Sequence, residues 1–85
     1  MTRKQADDFC KWVGYIKLVP YMEDNNSKEL EDVSLARAIE EAEYQEYVNL
    51  NWIDYYDRGT EEYNECTTAI RGAKRFVKKY KGDIQ

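Results

Sequence analysis

Histidine is absent from this chain, proline occurs once and cysteine twice. Without histidine, the commonest general base and the commonest nitrogen ligand for metals are both missing. Cys10 and Cys66 stand far apart and form no CxxC pair. They therefore make neither a structural zinc site nor the disulfide framework of a small secreted protein. A single Pro and four Gly in 85 residues argue against a disordered or collagen-like chain. No apolar run approaches the roughly 18 residues of a membrane span. Met1-Thr2-Arg3-Lys4 leads into polar residues, not into the apolar stretch of a signal peptide. The expectation is one cytoplasmic, non-catalytic domain over residues 1–85, with no cofactor and no metal.

Aromatic residues and unevenly spread charge fill the space these absences leave. Eight Tyr and two Trp are many for so short a chain. Such side chains build cores, and they also dominate binding surfaces, where one end of the ring is apolar and the other wet. The net charge of −4 conceals three blocks. Residues 1–22 carry +2, residues 23–65 carry −11 and residues 66–85 carry +5. An acidic middle and a basic tail can each attract a partner, or each other.

Apolar spacing predicts an all-α three-helix bundle. The clearest helix covers about residues 61–81. Thr60 caps it, Glu61 and Glu62 sit where the helix dipole favours anions, and Gly82 follows its end. Tyr63, Cys66, Ile70, Ala73, Val77 and Tyr80 recur on one face. A first helix starts after Thr2 and runs from residue 3 to 16 or a little beyond. It carries Ala6, Phe9, Cys10, Val13 and Ile16 on one face and Trp12 at the edge, and Gly14 is an interior cost of about 1 kcal/mol. Pro20 ends or kinks it, and residues 23–27 read as a loop. The middle helix starts near Asn26 or Ser27, where Asn26-Ser27-Lys28-Glu29 resembles a capping box, or later with Asp32 or Ser34 as cap. It carries two apolar faces, an aliphatic one (Leu35, Ala38, Ile39, Ala42, Leu50, Ile53) and an aromatic one (Tyr44, Tyr47, Val48, Trp52, Tyr55). Either the helix is continuous to about Tyr56 and the aromatic face is left over, or it is kinked or broken near Asn49-Leu50-Asn51 and both faces enter one core.

Two surfaces emerge as candidates for binding. Tyr44, Tyr47, Trp52 and Tyr55, flanked by Asp54 and Asp57, resemble the core and rim of a protein–protein interface. The last helix gathers Arg71, Lys74, Arg75 and Lys78 on one arc, with Lys79 and Lys81 beside them; this arc suits phosphates of a nucleotide or RNA, or neutralisation of the acidic middle. Glu40, Glu41, Glu43 and Glu46 spread over more than half the helix circumference and do not converge on one metal ion. Partial mimicry of nucleic acid is a third idea, with a poor charge balance. Residues 32–57 span about 39 Å as a helix, beside which duplex DNA places about 23 phosphates, against seven carboxylates here. The leading expectation is an inhibitor or adaptor that binds another protein through its acidic aromatic surface. Tiny, acidic, tyrosine-rich chains without histidine resemble phage or mobile-element proteins that disable a host enzyme or defence system. Pairing of acidic and basic zones between copies would give a homo-oligomer.

Overall fold

The computed structural model describes residues 1–14, 17–18 and 27–84. The expectations placed on Ile16, on the break at Pro20 and on the cap at Asn26 lie outside them. Among the described residues there are three α-helices and no strand: α1 (Arg3–Trp12), α2 (Leu35–Trp52) and α3 (Glu61–Tyr80). Short 3-10 turns cover Ser27–Asp32, Ile53–Tyr55 and Lys81–Asp83. No described helix is long and apolar enough to cross a membrane.

Each helix starts on a hydroxyl. Thr2 Oγ1 accepts from the Gln5 amide while the Gln5 side chain accepts from the Thr2 amide, a reciprocal capping box. Ser34 Oγ accepts from the Arg37 amide at 3.1 Å. Thr60 Oγ1 accepts from the Tyr63 amide at 3.2 Å. The later of the two expected starts of α2 is therefore correct. Residues 27–32 form a 3-10 turn that places Leu30, fully buried, in the core.

Helix α1 is shorter than its apolar spacing suggests. Gly14 adopts φ +117°, a conformation that glycine alone takes without steric cost. Its amide reaches back to the Phe9 carbonyl at 2.9 Å. Gly14 ends the helix, so counting it as an interior residue was wrong.

Helix α3 lies at the centre. It makes the most extensive contact with α2 and also carries α1, which packs in addition on the 27–32 turn. With neighbours on two sides its apolar face is wider than one stripe. Phe76, absent from the expected stripe, is fully buried, whereas Val77 is only half-buried. Phe9 meets Phe76 edge-on, with ring centroids 5.2 Å apart, and Phe76 meets Tyr80 at 5.1 Å. Ala6, Leu30, Ala38, Ile39, Ala42 and Ala73 fill the space around these rings. Cys66 is buried and Cys10 half-buried, both as free thiols.

The middle helix does not break. Asn49 Nδ2 donates to the Gln45 carbonyl one turn earlier, at 2.7 Å, so the asparagine satisfies itself inside the helix. α2 runs on into the 3-10 turn at Ile53–Tyr55. Only Ala38, Ile39 and Ala42 of α2 are buried, all in its first half. Leu50, expected on the buried aliphatic face, is 46 % exposed. Among the described residues α3 is the helix that packs most extensively on α2, and no residue in the second half of α2 is buried.

Helices α1 and α3 approach so closely that a Cβ on Gly72 would lie 1.8 Å from the Trp12 carbonyl oxygen. Replacing an interior helical Gly by Ala ordinarily gains up to about 1 kcal/mol. Here the sign should reverse. Gly72→Ala is expected to lower stability by about 1–3 kcal/mol through forced displacement of packed backbone, as read by urea melts. Gly82→Ala, with nothing within 4 Å, should stay within about 0.5 kcal/mol of wild type.

Candidate functional site

Ion pairs decide which charges are free to meet a partner. Across the helix interfaces Lys81 reaches Glu43 at 3.0 Å, Lys74 reaches Glu46 at 3.9 Å and Lys79 reaches Asp8 at 3.0 Å. Arg3 lies 3.8 Å from Glu31, and within α2 Arg37 lies 3.3 Å from Glu41. Each exposed pair contributes at most about 1 kcal/mol, so these contacts aim side chains more than they hold the fold. They also send Glu41, Glu43 and Glu46 in three different directions.

The expected basic arc is consequently not one free surface. Lys74 faces α2, and the Arg75 guanidinium lies over the Trp12 ring of α1, 4.4 Å from its centroid. Arg71 and Lys78 are exposed and make no ion pair among the described residues. Neutralisation of the acidic middle accounts for Lys74 and Lys81 and leaves Arg71, Arg75 and Lys78 unaccounted for.

The aromatic arc stays exposed. Tyr44, Tyr47, Trp52 and Tyr55 are 58, 66, 52 and 78 % exposed. Trp52 and Tyr55 are in ring contact, 5.5 Å between centroids and tilted by 51°. From Tyr44 to Tyr55 the arc extends about 16 Å along the helix. Asp54 and Asp57 are exposed beside it. Three features escaped the sequence reading. Exposed Leu50 and Tyr56 extend the apolar area. A shallow recess of about 300 Å³ opens between α2 and α3, lined by Asn49, Trp52, Tyr56, Glu62, Glu65 and Cys66. Glu61, Glu62 and Glu65 add to Asp54 and Asp57 a group of five exposed carboxylates with no ion pair among the described residues. The clustering of carboxylates between residues 54 and 65, against Arg58 alone, was the sequence signal for this end.

A polar cluster on the opposite side ties α1 to α3. The Tyr80 hydroxyl and the Lys79 ammonium both donate to Asp8 Oδ2. Burial alone would raise the Asp8 carboxyl; the hydrogen bonds from Tyr80 and Lys79, with the charges of Lys79 and Lys4, outweigh it and hold the group below its usual range. Burial pushes the Tyr80 phenol up, and the adjacent Asp8 carboxylate adds to the shift. Burial also raises the Cys10 thiol, with help from the Asp7 charge, and so reduces its thiolate fraction at neutral pH.

No protein-family model, curated protein or solved structure matches the chain.

The Asp8–Tyr80 cluster yields a two-sided pH dependence. A carboxyl lowered on folding stabilises above its unfolded pKa, and that contribution is lost as pH falls through the folded value. A phenol raised on folding stabilises below its unfolded pKa of about 10, and that contribution is lost as pH rises through the folded value. Urea midpoints should thus be flat near neutrality and fall on both sides. Asp8→Asn should lower the plateau and flatten the acid limb. An acid limb unchanged in that variant would assign the pH dependence to other carboxylates.

Proposed function

We propose that this chain is a small protein-interaction module, an inhibitor or adaptor, that docks the acidic aromatic end of α2 on another protein. The observation that carries the reading is the coincidence of four rings at least half exposed with five exposed carboxylates that form no ion pair among the described residues. Large contiguous apolar patches on a soluble chain mark interaction sites, and Tyr and Trp supply most hot-spot energy at interfaces.

The chemistry of the patch specifies the partner. Rings insert into apolar pockets, while Asp54, Asp57, Glu61, Glu62 and Glu65 favour a surface rich in Lys and Arg. A standard interface takes about 800 Å² from each side, about 28 Å across. The aromatic arc of α2 is shorter than that, so the partner also meets the turn after Tyr56 and the first turn of α3. Basic surfaces with apolar pockets are common on proteins that handle nucleic acid. A phage or mobile-element protein acting against such a host enzyme or defence complex fits this chemistry. Mimicry of nucleic acid along α2 is the weaker reading, because Glu41, Glu43 and Glu46 already face Arg37, Lys81 and Lys74.

Immobilised wild type and a Tyr47/Trp52/Tyr55 triple-alanine variant, compared on candidate host lysates, test the proposal. Truncation of exposed rings should change stability by no more than about 0.5 kcal/mol per site. Expected is a basic protein retained by wild type, with at least about tenfold weaker binding to the variant, equivalent to about 1.4 kcal/mol. A variant that no longer folds would show that the rings are structural. A folded variant that retains the same protein with equal affinity would show that the surface is not the contact.

A further inference from the structure

We infer a binding site for a phosphate monoester in the groove where α1 crosses α3, a site that none of the exposed rings of α2 lines. The groove has a volume of about 240 Å³ and is lined by Lys11, Trp12, Thr68, Arg71, Gly72 and Arg75. No carboxylate lines it. Lys11 comes from the last turn of α1, and Arg71 and Arg75 stand one turn apart on α3. None of the three makes an ion pair among the described residues. Arg75 is held in place by the Trp12 ring beneath its guanidinium, 4.4 Å from the centroid.

Magnitudes separate a ligand site from an ordinary helix-end arrangement. The C-terminus of α1 lies at this crossing and presents a dipole worth about −0.5 charge. Three full positive charges leave an excess of about +2.5 around one small groove. Cations brought together in a groove that no carboxylate lines repel one another, a cost that an incoming anion removes. A phosphate monoester carries about −1.5 to −2 near neutral pH and three acceptor oxygens. Two guanidinium forks, one ammonium and the Thr68 hydroxyl supply the donors that such a group requires. The two arginines are only about 6 Å apart along α3, which matches one phosphate more closely than the string of phosphates in a polymer.

The rest of the ligand has a place as well. A larger groove of about 670 Å³ shares Lys11, Trp12 and Thr68 with the basic one and continues between Val13 and Ala69 towards Asn64. Its walls offer apolar surface, the Asn64 amide and, away from the arginines, the Glu61 and Glu65 carboxylates; these suit the hydroxyls and amino group of an organic body of nucleoside size, with the phosphate kept at the basic end. Lys78, exposed on the same helix, lines neither groove. It separates binding in the groove from attraction to a generally basic helix.

Calorimetry and thermal melts with AMP, inorganic phosphate and adenosine, at matched ionic strength, test the site. AMP should bind wild type and raise its melting temperature, inorganic phosphate should do so more weakly, and adenosine should do neither. Arg71→Gln should weaken AMP by at least about tenfold and leave the ligand-free melting temperature equal or higher, since it relieves repulsion. Lys78→Gln should change AMP affinity by less than about threefold. Absence of AMP binding at millimolar concentration overturns the inference. So does an equal loss in the Lys78 and Arg71 variants, or tighter binding of single-stranded RNA that both variants weaken alike. Loss of protein capture in the triple-alanine variant has no bearing on these outcomes.

Discussion

Contact between the backbone of Trp12 and Gly72 governs the arrangement of this molecule. A glycine on α3 lets the end of α1 settle against a neighbouring helix at a distance that any Cβ would forbid. Once α1 lies there, Phe9 falls edge-on to Phe76, and Asp8 comes within reach of Tyr80 and Lys79. The Trp12 indole N–H is buried with no hydrogen-bond acceptor among the described residues. Burial of an unpaired donor costs roughly 1–3 kcal/mol. Packing of the ring beneath Arg75 and Lys79 offsets part of that cost.

That crossing also divides the surface. Helix α1 ends at Trp12, no residue in the second half of α2 is buried, and its outer arc of rings stays exposed. Ion pairs between helices absorb acids and bases near the packed end, namely Asp8, Glu43 and Glu46 with Lys79, Lys81 and Lys74. Asp54, Asp57, Glu61, Glu62 and Glu65 collect near the α2–α3 turn. Lys11, Arg71 and Arg75 collect where α1 meets α3. A small core of alanines and three rings in edge-on and tilted contact thus carries two surfaces of opposite charge.

Much of this fold was legible because local signals agreed with one another. The period of α3, its Thr60 cap and its early acids all pointed to one helix, and it lies where they placed it. The ends of α1 and α2 were less legible. Gly14 reads equally well as a weak interior residue or as a terminator, and only its backbone angle decides. Asn49 is a poor helix former in isolation, but bonding to the Gln45 carbonyl removes the reason to break. Phe76 and Leu50 were misplaced for a common cause: a helical wheel reports which residues share a face, not how many neighbours cover it. The rings of the aromatic arc were identified by number from spacing alone. Their company of Tyr56, Glu62 and Glu65 depends on how α3 returns beside α2, which no local pattern encodes.

The central claim is an accessible aromatic surface set in a negative field, and the fluorescence of Trp52 reports on both properties. With Trp12→Phe, Trp52 is the one remaining indole. Quenching by caesium and by iodide, compared at low and high ionic strength, measures access and local charge sign together. Both ions should reach an indole that is 52 % exposed. At low salt caesium should quench more strongly, relative to free tryptophan, than iodide does, and the difference should shrink as salt screens the five carboxylates. Protection of Trp52 from both ions in the folded variant, or stronger relative quenching by iodide, would contradict the claim.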